Sequence, residues 1–333
     1  MNSPETLVAE LLEAAQLHDD GTYSWFGSRS APLPARVRRE LAPEAAREYL
    51  LTQVSSVLYQ WFYATGGAVR AHESTWVLPS GDESFTAELR SANRSIGPWQ
   101  SGWVVVQDRP HVLIERDGLR FRALPSQVRS ANGAVIGAKV EARLPSEHLN
   151  MSPGFFMVLG DQDDTPMEAA GRVRYYFHLA PRSASMFLEL VTSAMNGIGV
   201  PFRVKVLNHP EAYRRCDAGV LYVPRIHHER VLPSLLEVHR RLAPTIGPRV
   251  PAFTKLVRPG LGVAMDPGDG SSFGQHRCGI VARALVDAHA SQVRGTNARL
   301  EAVRQAFRYA RLDLNRPHLA SDGVDLEWNQ RGD

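Results

Sequence analysis

Four short runs between residues 102 and 145 constrain the fold of this chain more than any other feature. "GWVVVQD" (102–108), "HVLIERDG" (111–118), "LRFRALP" (119–125) and "GAVIGAKVEARLP" (133–145) are rich in β-branched and aromatic residues, and Asp-Gly and Asn-Gly pairs punctuate them. A period of two puts successive side chains on opposite faces of a sheet. Asp-Gly and Asn-Gly supply the positive φ angles that a tight hairpin needs. Strands joined in this way pair antiparallel, so the stretch reads as an antiparallel sheet.

Around it the period changes. Residues 4–18 and 43–65 have helical spacing, the second opening at Pro43 with apolar positions at Leu50, Val54, Leu58 and Trp61. The second half alternates: strand "RVRYYFHLA" (172–180), a helix over 183–196, strand "PFRVKVL" (201–207), a turn at "NHPEAYRRCDA", strand "AGVLYVP", a helix over 227–241, and two closing helices after the loop "DPGDGSSFG". The expected class is α+β, a mostly antiparallel sheet flanked by helices. The polar, acidic link "GDQDDTPMEAAG" (160–171) suggests a boundary, giving an N-terminal helical and β subdomain over 1–160 and a second subdomain over 161–333.

Composition excludes several classes. With 44% apolar residues the chain has a core to bury. The aromatic-rich stretch Tyr49 to Val69 is interrupted by Gln53, Ser55, Ser56 and Gln60, so no membrane-spanning run is expected. The first twenty residues carry acids and amphipathic spacing in place of a secretion signal, and a cytoplasmic location is the expectation. Two cysteines, Cys216 and Cys278, make neither a disulfide framework nor a zinc site. The arginines are dispersed, without the basic stripe of a nucleic-acid binder.

Of 38 Lys and Arg residues only three are lysines, at 139, 205 and 255. An amine sheds its proton near neutral pH when desolvated, and a guanidinium does not. Strand alternation places Arg172, Arg174, Tyr176 and His178 on one face of 172–180, and Arg203 with Lys205 on one face of 201–207. If the two strands are neighbours, His178 and Lys205 converge on one surface among arginines. That combination suits acid/base chemistry on an anion.

The run "YFHLAPRSASMFLELVTSAMNGIGVPFRVKVLNHPEAYRRCDAGVLYV" resembles the core of the type III secreted phosphothreonine lyases. With "SANRSIGPWQSGWVVV", "PAFTKLVRPGLGVAMDP" and "SFGQHRC", the chain more closely resembles the Hop effector family of its A subtype over most of residues 45–290. Bacterial relatives in that family are lyase subunits in the making of class V lanthipeptides and thioamitides. The resemblance implies that Lys205 removes the α-proton of a phosphorylated Ser or Thr, and that His178 protonates the departing phosphate. It further implies a phosphate-binding arginine at Arg215, or Arg214 if the match slips by one, and an active-site tyrosine at Tyr222. Where the secreted lyases have a further lysine, this chain has Tyr176. A replacement cation is then sought in Arg174, Lys255, or Arg277 of "SSFGQHRC", whose helix Ser271 or Ser272 caps.

The implied reaction is a β-elimination that gives dehydroalanine or dehydrobutyrine in a ribosomal precursor peptide, with no metal or cofactor. The chain has no kinase signature, so a separate Ser/Thr kinase, held in a complex with it, is the implied partner beside the phosphorylated peptide. The first 150 residues are either a dock for that kinase or for the peptide, through a sheet edge near 102–142, or plain support. Two other readings stand: a phosphopeptide-binding scaffold without turnover, and a secreted effector lyase acting on host phosphoproteins.

Overall fold

Ser3 accepts the Thr6 amide and Pro4 fills the first helical position, which starts α1 (Pro4–Ala14). In this computed structural model, which describes residues 3–67, 80–131, 133–149, 151–163 and 171–328, α1 stops four residues short of the expected end. Ala15 turns extended, and Ala15–Leu17 (β1) pairs with Tyr23–Trp25 (β2), itself paired with Ser28–Arg29 (β3). Ala35–Glu40 (α2) is exposed, and α3 (Pro43–Val57) opens at Pro43 as expected. Instead of running to 65, α3 widens into a π-helical turn, Leu58–Tyr63. Asp82 caps α4 (Glu83–Ala92).

The punctuated stretch is a five-stranded antiparallel sheet made of β4 (Trp99–Gln107), β5 (Val112–Arg116), β6 (Leu119–Ala123), β7 (Val128–Arg129) and β8 (Lys139–Arg143), in the order β6-β5-β4-β8-β7. Asp117 and Gly118, at φ 51 and 78, make the two-residue turn between β5 and β6.

The second sheet has seven strands: β9 (Glu147–His148), β10 (Phe155–Leu159), β11 (Arg172–Phe177), β12 (Arg203–Leu207), β13 (Gly219–Pro224), β14 (Lys255–Arg258) and β15 (Leu261–Met265). Their order is β14-β15-β11-β13-β12-β10-β9, all antiparallel. The condition that the strands of His178 and Lys205 be neighbours is not met. Strand β13 lies between β11 and β12, so the two strands carrying the candidate residues are second neighbours. The sheet also does not respect a division at residue 160, because β10 is the hydrogen-bonded partner of β12. Residues 164–170 of the acidic link lie outside the described residues.

Both faces of this sheet are covered, which is why its strands read as near-continuous apolar runs. Val173, Tyr175, Phe177, Val204, Val206, Leu221 and Val223 bury one face against α5 (Ala184–Gly197) and α6 (His228–Leu242). On the other face Tyr176, Val220 and Ala264 meet α3, the π-turn, α7 (Phe273–Ala290) and α8 (Thr296–Tyr309). This cover is incomplete, and Lys205 and Tyr222 remain half-exposed beside it. The class is α+β with mostly antiparallel sheets flanked by helices, as expected. Among the described residues no helix is long and apolar enough to cross a membrane.

Candidate functional site

Cross-strand partners share a face, so the register of the large sheet sets which side chains meet. One row runs Met157, Lys205, Val220, Tyr176, and the next Leu159, Arg203, Tyr222, Arg174. The alternation read from the sequence therefore puts Arg174, Tyr176, Arg203 and Lys205 on one face, joined by Tyr222 from the intervening strand.

Lys205 lays its stem along this face. Its ammonium sits 4.1 Å from the Phe155 ring centroid and 5.9 Å from that of Tyr222, and Nζ donates to Ser152 Oγ at 3.3 Å. Aromatic faces attract a cation electrostatically without neutralising it, and among the described residues no carboxylate pairs with the amine. Arg174 and Arg215 flank it and are buried. Arg174 donates to Asp266 Oδ2 through Nε at 3.1 Å and Nη2 at 2.6 Å, and to the Ser271 carbonyl at 3.0 Å. Its guanidinium carbon lies 5.4 Å from the Tyr222 ring. Arg215 grips Asp217 bidentately, Nε to Oδ1 at 2.7 Å and Nη2 to Oδ2 at 2.6 Å, and Nη2 also donates to the Tyr59 hydroxyl at 2.9 Å. Of the two candidates at 214 and 215, Arg214 is exposed on the turn and Arg215 is the one built into the site.

His178 follows the last residue of β11, where the Leu179 amide turns back to the Phe177 carbonyl at 3.0 Å. Its amide donates to the Gly260 carbonyl at 3.0 Å, and its carbonyl accepts the Gly247 amide at 2.8 Å. Gly247 is needed there, since a Cβ would stand 2.5 Å from the imidazole. Burial holds the imidazole below its ordinary pKa, the Arg249 charge adds to this, and Asp217 opposes it. Relative to Lys205, His178 is two strands across and two residues along, which places the two Cα atoms about 12 Å apart. No hydrogen bond joins the two side chains among the described residues.

Two expected cations are elsewhere. Lys255 pairs in register with Val263, which pairs with Tyr175, so it lies on the opposite face of the sheet; its Nζ is 2.9 Å from Asp325. Arg277 is fully buried and spends its donors on the Pro317 carbonyl at 2.8 Å, the Leu319 carbonyl at 2.7 Å and His276 Nδ1 at 2.7 Å. It anchors the C-terminal segment, and no anion in solvent reaches it. Ser272 does cap α7, accepting from the Gln275 amide at 3.1 Å. Tyr176 is buried under Tyr63 and Phe273, and burial pushes its phenol far above the usual range, so it stands in for a lysine only sterically.

Sequence reasoning missed Asp217, Tyr59, Ser152, Phe155, Gly247 and Arg249. Asp217 was within reach, two positions after Arg215 in "RRCDAG". Nothing local to Tyr59 announces a partner 156 residues away.

A family model described as the HopA1 effector protein family matches residues 146–319. Among solved structures, that of the effector protein from Pseudomonas syringae pv. tomato strain DC3000 covers 84% of this chain and 92% of its own, at 16% identity and a TM-score of 0.42. That of the effector protein from Pseudomonas syringae pv. syringae strain 61 covers 79% and 88%, at 14% identity and a TM-score of 0.45. No curated protein matches the sequence.

Proposed function

Because the chain belongs to the HopA1 effector protein family, we propose that it is a carbon–oxygen lyase that eliminates phosphate from phosphoserine or phosphothreonine in a ribosomal precursor peptide. The observation that carries this reading is the setting of Lys205, a partly exposed amine held over Phe155 with no carboxylate partner among the described residues, on the face that also carries Arg174 and Tyr222.

In its neutral form the Lys205 amine takes the Cα proton. The electrons of that C–H bond form the Cα=Cβ double bond, and the Cβ–O bond breaks toward phosphate. The His178 imidazolium delivers a proton to the leaving oxygen, and the cationic face, with Arg215 holding the phosphate, carries its charge. Both groups return to their starting forms by exchange with solvent. In the free protein burial and Arg249 favour neutral His178; a dianionic phosphate beside it draws the proton on, which couples acid formation to substrate binding. The phosphorylated residue is supplied by a separate Ser/Thr kinase working with this chain on one peptide.

The test is mass spectrometry of a phosphopeptide incubated with the protein. Loss of the mass of phosphoric acid supports elimination; gain of the free hydroxyl points to a phosphatase. Lys205→Arg keeps the charge and removes the base, so phosphopeptide affinity persists while turnover falls by about 100-fold or more. Equal binding and no turnover in the wild type favours a scaffold instead. The family's description as effectors supports a second reading, the same elimination on a folded phosphoprotein, and comparing peptide with protein substrates separates the two.

A further inference from the structure

The π-helical turn Leu58–Tyr63 precedes the matched segment 146–319, yet residues 59–65 are fastened to that segment at four points. Tyr59 Oη accepts from Arg215 Nη2 at 2.9 Å. The Ala64 carbonyl accepts the Cys216 amide at 2.6 Å, and the Tyr63 carbonyl accepts the Ala252 amide at 3.0 Å. The Thr65 carbonyl accepts from Arg249 Nη1 at 3.2 Å, the same arginine whose charge bears on His178. Just beyond, Gly66 at φ +68 approaches so closely that a Cβ would stand 2.5 Å from the Val250 carbonyl. A π-turn gives up the commoner α-helical geometry and is frequent at functional sites. Here its wide turn, with the Ala64 amide reaching back to the Tyr59 carbonyl at 2.9 Å, stacks Tyr59 on Tyr63 at a centroid distance of 5.3 Å.

We propose that Tyr59 is the positioning residue of the phosphate-binding Arg215, so that the N-terminal segment is part of the lyase site and not only a support or dock for it. This rests on the reading above in which Arg215 holds the phosphate. Asp217 grips the guanidinium along its Nε–Nη2 edge, and the Tyr59 hydroxyl stops rotation about that edge by a bond from a different element. Asp217 already balances the Arg215 charge, so a second carboxylate in place of Tyr59 would leave the cluster net negative and repel the ester. The phenol orients the arginine at no cost in charge, because burial pushes its pKa up to about 12.

The experiment compares the full-length wild type with Tyr59→Phe, measuring affinity for a phosphothreonine peptide and for inorganic phosphate by calorimetry, steady-state elimination, and the thermal midpoint. Loss of one hydrogen bond to a charged group predicts that Kd and KM for the phosphopeptide rise about tenfold, phosphate Kd by the same factor, and kcat by no more than about twofold either way. In an Arg215→Lys background the same change has no further effect on affinity. Unaltered Kd in Tyr59→Phe overturns the inference, as does a fall in kcat and midpoint without change in Kd, or failure of this variant to fold. A wild type that binds phosphopeptide without eliminating it sinks the lyase reading alone, and the affinity comparison still decides the role of Tyr59. A wild type that binds neither ligand sinks both.

Discussion

Replacing Asp217 by Asn keeps the shape of the side chain and removes its charge. In the native fold the Arg215 and Asp217 side chains are 3% and 6% exposed and joined by two bonds, at 2.7 Å and 2.6 Å. Solvent touches the pair only at its edge, so screening softens the loss of one partner little. An uncompensated buried guanidinium costs about 3–5 kcal/mol. The Tyr59 hydroxyl remains, but a neutral acceptor offsets only about 1–2 kcal/mol of that. Set against a total stability of about 5–15 kcal/mol, the single substitution takes a large share. The double variant Arg215→Met, Asp217→Leu removes both charges and fills the space with apolar atoms, and it recovers stability to within about 2 kcal/mol of wild type. Urea titrations of the wild type, Arg215→Met, Asp217→Leu and the double variant close the cycle, and the interaction energy between the two sites is expected at about 3 kcal/mol or more. Phosphopeptide affinity separates folding from function, since the double variant folds and does not bind. A loss below about 1 kcal/mol for Asp217→Asn, the level of a solvent-screened pair, refutes the reasoning, as do strictly additive effects.

Gly247→Ala drives a methyl into the space of the His178 ring, 2.5 Å from Nδ1, so the imidazole must move; kcat should fall about 100-fold with phosphopeptide Kd unchanged, and a wild-type kcat removes His178 from the mechanism. Lys255→Met breaks a half-exposed pair on the far face of the sheet, with an expected stability change under about 1 kcal/mol and wild-type turnover; a loss of phosphate affinity would return Lys255 to the site. The imidazoles of His178, His228, His276 and His318 are all held below their ordinary value, by burial first in each case. The unfolded chain therefore binds more protons than the fold as pH drops through the ordinary imidazole range. Their stabilising contribution is complete above that range and is lost on acidification, by about 1.4 kcal/mol per pH unit for each histidine still neutral in the fold. Thermal midpoints measured between pH 7 and pH 5 should fall steadily, and a flat profile contradicts the assigned burial.

What the sequence determined by itself is local. Period-two alternation put Arg174 and Tyr176 on one face and Arg203 and Lys205 on one face, because side-chain direction on a strand depends only on parity. Asp117-Gly118 specified a two-residue hairpin, because those residues tolerate the positive φ that such a turn demands. Scarcity marked Lys205 as an amine where arginine is the rule. Strand order was decided in the tertiary structure: nothing within β11 or β12 encodes that β13 inserts between them, since pairing is chosen by which apolar faces bury together across the whole chain. The fate of each cation was decided there as well. Arg215 and Arg277 look alike as letters, yet one meets Asp217 and Tyr59 beside the lysine, and the other is consumed by the carbonyls of Pro317 and Leu319. A buried guanidinium must satisfy its donors wherever the fold leaves acceptors, and those acceptors come from residues far away in the chain.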